Sequence, residues 1–326
     1  MGKTSIEWTA TYHADGTVTP GHSTNPIRAR HKTTNRVGHY CEKISPGCTN
    51  CYASDLQWRF GTPPYLGKHR DEMEPFLDET KLHEVRRRKK PTTYFWEDMS
   101  DLFGDWVRDA WIYDCLATMA LTPWHTHQLL TKRCERMATF FKNPECADVV
   151  YQTAWEAQPG ALPPRNEWQW PLQNVWCGGS VEDQKTADER ILWLLKTPAA
   201  VLFVSYEPAL GPVDFSPWFR PVPNCAASNK TEGTCDDERN LTPECHAEVA
   251  CPRTDRYGGL NLVIVGQESG PKARSMDEDW IRSARDQCAA FGVAFFYKQK
   301  LDERRRKVSL PLLDGRQHTE LPGGQT

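Results

Sequence analysis

The sequence VWCGGSVEDQKTADERILWLL, residues 175–195, decides the fold that we expect for this chain. It begins with a short apolar run, continues with a polar cluster over residues 178–183, and ends in a stretch with helical spacing over Thr186–Leu195. A short, continuous apolar strand that leads directly into a helix is typical of a parallel sheet covered on both faces.

The same order of strand, polar loop and helix recurs about six times from residue 92 onward. The apolar runs are Thr92–Trp96, His127–Leu130, Val175–Cys177, Ala200–Val204, Leu262–Val265 and Val293–Tyr297, and the helical stretches include Trp106–Ala120, Glu135–Phe141, Thr186–Leu195 and Glu278–Phe291. This alternation predicts an α/β fold. The polar residues always follow a strand, as they do at the active face of a (β/α) barrel.

A doubly wound open sheet also gathers ligands at the carboxyl ends of its strands. No Gly-x-Gly-x-x-Gly loop follows any of these strands, however, so we predict a full or partial (β/α) TIM-like barrel. Residues 11–39 show little periodicity, and residues 212–259 contain six prolines and four cysteines. We therefore expect one domain over residues 1–326, with insertions at about 11–39 and 212–259, the second of them rich in cysteine.

The composition excludes several classes of protein. The chain has 326 residues, 39% hydrophobic and 25% charged, with a net charge of -3. These values are those of an ordinary globular protein, without the strong positive charge that would announce a nucleic-acid binder. The apolar runs are far shorter than the roughly 20 residues of a membrane span, and the first residues form no apolar signal stretch. We expect a cytoplasmic protein with reduced thiols.

Three closely spaced cysteines, Cys41, Cys48 and Cys51, give the strongest chemical signal. Clustered cytosolic thiols indicate metal ligands before disulfides. A closed structural zinc site needs four ligands, and no fourth cysteine or histidine follows at close range. Three thiolates alone suggest a [4Fe–4S] cluster with one open iron. Zinc completed by a distant ligand, or ordinary buried thiols, remain the alternatives.

The run Cys-x6-Cys-x2-Cys-Tyr-Ala resembles the cluster loop of radical S-adenosylmethionine (SAM) enzymes, whose usual form is Cys-x3-Cys-x2-Cys. The wider first gap is a departure from that form. Further motifs resemble the radical-SAM-like proteins of phages and bacteria. They are IEWT (6–9), SPGC (45–48), MSDLF (99–103), LTKR (130–133), NVW (174–176), SVEDQ (180–184), SYEP (205–208), GPV (211–213) and VIVGQESG (263–270).

The resemblance implies a chemistry. Three cysteines would hold three irons, and the amino and carboxylate groups of SAM would bind the fourth. An electron, from a donor such as flavodoxin or ferredoxin, would cleave SAM to give a 5′-deoxyadenosyl radical that abstracts a substrate hydrogen. The phage members suggest a modified DNA or nucleotide substrate in the host cytoplasm, with isomerisation of an amino-acid-modified thymine. Such a base must be flipped out of a duplex or be unpaired.

The resemblance assigns no catalytic residue, but the polar residues at the strand ends become candidates for binding SAM and substrate. By analogy, Glu97 would contact the SAM amino group. Lys132 and Arg133 would pair with a carboxylate or a phosphate. The full set of predicted cofactor-binding residues is Glu97, Ser180, Glu182, Ser205, Glu207, Gly266, Glu268 and Ser269. Serines and acids after strands also cap helices, which is the plainer interpretation of each.

A second cysteine set, Cys225, Cys235, Cys245 and Cys251, has no zinc-ribbon spacing. It would hold structural zinc or a second iron–sulfur cluster, or form disulfides, or stay unligated. Of two basic runs, residues 86–90 and 304–307, the second is better placed to reach a nucleic acid.

Two other functions stay open at this point. One is a zinc-containing nucleic-acid-binding protein without catalysis, although acids at the strand ends would repel phosphates. The other is an iron–sulfur enzyme that is independent of SAM.

Overall fold

The computed structural model describes residues 2–12, 17–53, 56, 65–219 and 259–323. Within these residues the strands are β1 (Gly2–Lys3), β2 (Thr11–Tyr12), β3 (Val18–Thr19), β4 (His22–Thr24), β5 (Ile27–His31), β6 (Val37–Gly38), β7 (Tyr40–Cys41), β8 (Tyr65–Leu66), β9 (Met73–Leu77), β10 (Thr93–Trp96), β11 (Thr126–Thr131), β12 (Val175–Val181), β13 (Val201–Tyr206), β14 (Leu262–Gly266), β15 (Ala294–Leu301) and β16 (Lys307–Ser309). The helices are α1 (Glu79–Arg87), α2 (Asp109–Ala120), α3 (Cys134–Lys142), α4 (Cys146–Ala157), α5 (Gln184–Leu195) and α6 (Glu278–Phe291), with 3₁₀ turns at Glu7–Thr9, Pro46–Cys48, Gly67–Glu72 and Ser216–Trp218.

The main sheet has nine strands in the order β1-β4-β10-β11-β12-β13-β14-β15-β16. Its seven inner strands, β4 and β10 to β15, are all parallel, and β1 and β16 pair antiparallel at the two edges. This confirms the predicted α/β class. Over the described residues the sheet is open at both edges, which is consistent with a partial TIM-like barrel and not with a full one.

The two faces of the sheet pack against different groups of residues. In β14, Val263 and Val265 join the core beneath the helices, whereas Leu262 and Ile264 join a smaller cluster on the other face. Because successive side chains of a strand point to opposite faces, a strand with both faces buried becomes continuously apolar. The continuous apolar runs of the sequence therefore come from this two-sided burial.

Trp8 shows that the sheet is curved. Its ring lies 4.9 Å from that of Phe95 on β10 and 5.6 Å from that of Phe203 on β13. These strands are three positions apart in the sheet order, so a flat sheet would separate them by about 14 Å. One indole contacts both because the sheet bends around it. The smaller cluster is thus the concave, interior side.

The predicted helices are found close to their expected bounds. Asp183 caps α5, and its side chain and that of Thr186 form a reciprocal capping box. Gly292 ends α6 in the left-handed region, with φ 67°, which glycine adopts without strain. Asp183 is thus a helix cap, as the plainer interpretation of the strand-end acids proposed.

Residues 11–39 need a correction. They contain β2 to β6, and β4 pairs in parallel with β10 inside the main sheet. A three-residue strand is too short to show periodicity, which is why it looked like part of an insertion.

Most of the second predicted insertion, including Cys225, Cys235, Cys245 and Cys251, lies outside the described residues. Among the described residues, every helix is too short or too polar to span a bilayer.

Candidate functional site

A pocket opens where the parallel strands end, and all three clustered cysteines line it. Its empty space, including the mouth, is about 1070 Å³. Of the predicted cofactor-binding residues, it is lined by Glu97, Ser180, Ser205, Glu207, Glu268 and Ser269. The structure thus brings most of the predicted site residues to one place. Glu182 and Gly266 are not part of the pocket wall.

The segment that carries the three cysteines, residues 41–51, is called the cysteine loop, and hydrogen bonds hold it across the carboxyl ends of the strands. Ser45 Oγ donates a hydrogen bond to Glu182 at 2.7 Å, and Asn50 Nδ2 donates one to Glu268 at 3.0 Å. Arg274 donates to the backbone carbonyl of Pro46 at 2.9 Å. Acids that follow two strands therefore hold the loop that carries the thiols.

Glu182 is fully buried among cations. Lys132 and Arg190 both pair with its carboxylate, the latter at 3.0 Å, in addition to the bond from Ser45. Gly47 packs so closely against this carboxylate that an added Cβ would lie 2.7 Å from its Cγ. Glu182 therefore positions the cysteine loop through its contacts with Ser45 and Gly47. Its predicted contact with a cofactor stays untested.

Glu268 also holds the loop. Its carboxylate accepts hydrogen bonds from Asn50 and from the backbone and guanidinium of Arg274, at 2.6–3.0 Å. Burial alone would raise the pKa of Glu268, but the bonds from Arg274 and Asn50 outweigh it and lower the pKa below the ordinary value. The carboxylate is therefore ionised at neutral pH.

Glu97 differs from these acids. It follows β10, is 2% exposed, and has a left-handed backbone with φ 59°. Its Oε1 accepts the backbone N–H of Ile27 at 2.7 Å, whereas the buried Oε2 has no hydrogen-bond partner among the described residues. Burial raises the pKa of Glu97 well above its ordinary value. An unpartnered buried carboxyl oxygen beside a pocket suits a ligand that brings a positive charge.

Glu207 is paired with a residue that the sequence analysis did not select. Lys298 Nζ lies 2.7 and 2.8 Å from its two oxygens, and Gln299 Nε2 donates to it at 3.0 Å. An added Cβ on Gly266 would lie 3.2 Å from the Glu207 carboxyl carbon. Gly266 therefore makes room for Glu207. The sequence feature that identifies Lys298 as a candidate is its position directly after the last apolar run, Val293–Tyr297.

The three predicted serines lie in the pocket wall. Ser180 Oγ accepts a hydrogen bond from Lys132 at 2.7 Å. Ser205 lies near the end of β13 and Ser269 follows β14. All three residues therefore line the pocket that the cysteines line, and binding of SAM by them stays a prediction.

Arg133 stands beside Cys41. It donates to Asp101 at 2.9 Å and to the carbonyl of Glu42 at 3.4 Å, and its guanidinium lies 4.7 Å from the ring centre of Trp106. Burial raises the pKa of the Cys41 thiol, with Asp101 adding to the effect and Arg133 opposing it. Arg133 is thus a fixed cation against one of the three thiols.

The donor set fits an iron–sulfur cluster. Three thiols of one loop line one pocket beside an unpartnered carboxyl oxygen. No three His, Cys, Asp or Glu side chains of the described residues converge on a single metal ion. A four-iron cube instead takes each thiolate on a different iron, so its ligands surround the cube.

Comparisons with known proteins give a family and a distant structural similarity. Residues 24–322 match the family described as "Protein of unknown function (DUF5131)". No curated protein matches the chain. Among solved structures, a spore photoproduct lyase variant is 10% identical, with 76% of this chain and 72% of that chain covered, at a TM-score of 0.38. A similarity this distant carries no argument about function.

Proposed function

The chain belongs to the DUF5131 family of proteins of unknown function, and we propose from its site that it is a radical SAM enzyme. One observation carries the proposal. Cys41, Cys48 and Cys51 line the pocket at the strand ends, together with Glu97, whose buried Oε2 has no described partner. Three thiols suit the cluster, and the carboxyl suits the amino group of SAM.

In this proposal the cysteines hold a [4Fe–4S] cluster, which supplies with SAM a 5′-deoxyadenosyl radical for hydrogen abstraction. The residues of the chain bind and orient. Glu97 accepts a hydrogen bond from the ammonium group of SAM. The hydroxyls of Ser180, Ser205 and Ser269 form hydrogen bonds with the rest of the cofactor. The apolar rings of Trp8 and Phe95 form part of the wall and exclude water from it.

Glu182 and Glu268 act indirectly in this scheme. Each accepts hydrogen bonds from the cysteine loop while paired with a cation, so each fixes where the thiols stand. Such supporting contacts commonly decide how tightly a metal group is held. We assign them positioning roles and not direct contact with SAM.

For the substrate we propose an amino-acid-modified thymine in DNA, rearranged in an isomerase-type reaction. The support is the sequence resemblance to phage and bacterial radical-SAM-like proteins. The base would be unpaired or flipped out to reach the pocket. A flavodoxin or ferredoxin would supply the electron. A zinc-containing nucleic-acid-binding protein and a SAM-independent iron–sulfur enzyme are the competing functions.

Anaerobic reconstitution tests the proposal. Purified protein is loaded with iron and sulfide, reduced with dithionite, and incubated with SAM. We expect cluster absorption and release of 5′-deoxyadenosine. Cys48→Ala should lose both, whereas Cys146→Ala, which removes a buried thiol at the start of α4, should keep both.

The competing functions give different results. Zinc without iron in the purified protein would favour the zinc-containing nucleic-acid-binding protein. An iron–sulfur cluster without SAM cleavage would favour the iron–sulfur enzyme that is independent of SAM. Mass analysis of nucleosides from modified phage-type DNA, after incubation with reduced enzyme and SAM, tests the substrate. Release of 5′-deoxyadenosine with unchanged nucleosides would contradict the thymine proposal alone.

A further inference from the structure

A second cleft lies beside the cysteine pocket. It is lined by Lys32, Tyr40, Arg70, Met73, Glu74, Pro75, Trp106, Arg108 and Trp111. The two cavities share a wall, because Arg133 lines the pocket while its guanidinium stacks on the Trp106 ring, which lines the cleft. At the rim, Glu42 of the pocket pairs with Arg70 of the cleft at 3.4 Å.

The cleft is positively charged in a chain whose net charge is -3. Its lining includes three cations and one carboxylate, Glu74. The cations come from three separate parts of the fold: Lys32 follows β5, Arg70 lies in the 3₁₀ turn Gly67–Glu72, and Arg108 precedes α2. Their convergence gives the cleft a charge that none of these segments would give alone.

These cations are available to an anion. Lys32 Nζ donates to the carbonyl of Asp71 at 2.7 Å, which leaves its positive charge unneutralised. Arg108 is exposed and lies 5.0 Å from the ring centre of Trp111, a contact that orients it without neutralising it. Arg70 is 56% exposed and its pairing with Glu42 is long. Such loose pairs yield readily to a phosphate.

The other basic surface that the sequence suggested is already engaged. In the run 304–307, Arg306 pairs with the carboxylate of Asp302 and Lys307 pairs with that of Glu7, so two of its four cations are neutralised. Within this run, Arg304 and Arg305 have no carboxylate partner among the described residues, and Arg305 donates to the carbonyl of Ala273. The run is therefore the weaker candidate for a phosphate surface.

Aromatic side chains complete the cleft. Trp106 and Tyr40 pack edge to face, with ring centres 4.9 Å apart, and Trp111 is half-buried nearby. The indole N–H of Trp106 is buried and has no hydrogen-bond partner among the described residues. Cations interleaved with aromatic rings are the chemistry that proteins use to bind single-stranded nucleic acids.

We propose that this cleft binds the phosphate backbone of a single nucleic-acid strand, so that a neighbouring base reaches the cysteine pocket. Lys32, Arg70 and Arg108 contact the phosphates, and Trp111 offers a ring to a base. The inference deepens the proposed function, because it names the form in which the substrate arrives. Binding itself needs neither the cluster nor SAM.

Fluorescence anisotropy of the full-length protein tests this site. The probe is a fluorescein-labelled oligothymidylate of about twelve nucleotides, titrated over a series of salt concentrations. The variants are Lys32→Gln and Arg108→Gln, singly and together, and both residues are exposed. We expect the double variant to bind about tenfold more weakly and to show a smaller salt dependence. Circular dichroism checks that each variant is folded.

Arg304→Gln serves as the matched control, since it removes an exposed cation outside the cleft. It should leave the affinity unchanged. The proposal is overturned if Arg304→Gln weakens binding while the cleft variants do not, or if no variant changes it. Equal competition by thymidine monophosphate would also overturn it, because the ligand would then be a free nucleotide.

The outcomes separate this inference from the proposed function. Release of 5′-deoxyadenosine without strand binding would leave a radical SAM enzyme whose cleft has another use. Strand binding that depends on Lys32 and Arg108, without SAM cleavage, would leave the cleft assigned and the radical SAM proposal refuted.

Discussion

Four carboxylates at the strand ends look alike in sequence but have different surroundings. Glu182, Glu207 and Glu268 each pair with a lysine or an arginine. Glu97 is fully buried, and one of its oxygens has no partner in the described part of the chain. An unpaired buried carboxyl costs stability unless it is protonated or meets a cationic ligand. Glu97 is thus the one of these four acids whose surroundings leave an oxygen for the cationic ligand that the proposed function requires.

Glu97→Gln should stabilise the unloaded protein at neutral pH and weaken SAM binding. Since burial raises the pKa of Glu97, its carboxyl favours the folded state fully only below the unfolded value of about 4.5. That stability is lost as pH rises through the folded-state pKa.

Thermal unfolding from acid to neutral pH measures this difference. The variant should melt higher near neutral pH, by roughly 2–4 °C for each kcal/mol recovered, and the difference should vanish in acid. Calorimetry should find SAM affinity about tenfold lower, because a charge-assisted bond is lost. Equal melting at every pH would show that Glu97 is not strained by its burial.

Gly47 is a second position where a single atom matters. An added Cβ would press against the buried carboxylate of Glu182, which three partners hold in place. Gly47→Ala should therefore displace the loop and reduce its hold on the cluster by about tenfold. Loss of cluster absorption during titration with an iron chelator measures this. Gly211→Ala, whose Cβ would have an ordinary 3.5 Å contact, should behave as wild type.

At the scale of elements, the loop after β14 fastens the cysteine loop. Glu268→Gln keeps the size of the side chain but removes the negative charge that pairs with Arg274 and accepts the hydrogen bond from Asn50. We expect the free energy of unfolding to fall by about 1–3 kcal/mol at neutral pH. Because the folded-state pKa of Glu268 is lowered, its contribution is present above about 4.5 and is lost as pH falls. Urea unfolding at neutral and acid pH should show this convergence, and a pH-independent difference would contradict it.

The elements also show what the sequence could predict. Strands such as β14 are continuously apolar because both faces are buried, so the six strands from β10 to β15 could be predicted from the sequence. Strand β4 has only three residues, and helix α4 interrupts the regular alternation, so neither was predicted. The carboxyl-end position of the acids followed from strand order. Glu207 pairs with Lys298, which is 91 residues away, whereas Glu182 and Glu268 pair with Arg190 and Arg274, which are eight and six residues away, and no local pattern reveals any of the three pairs.

For the whole molecule, the interior of the curved sheet depends on residues near the start of the chain. Trp8 fills the concave side and is 2% exposed. Next to it, Glu7 pairs with Lys307 at 2.8 Å, which joins this segment to β16 at the far edge of the sheet. The pocket lies in the same concavity, since Trp8 and Phe95 line it. The shape of the pocket therefore depends on the curvature of the sheet.

Trp8→Ala should destabilise the whole molecule and the pocket together. Removing a buried indole that contacts β10 and β13 should lower the free energy of unfolding by about 3–5 kcal/mol. Trp155→Ala makes the same chemical change on the surface, where the side chain is 41% exposed, and should cost less than about 1 kcal/mol. Urea unfolding measures both values. A small cost at Trp8 with unchanged SAM binding would mean that the sheet keeps its curvature without the indole, because its strands would then hold the concave shape through their own twist.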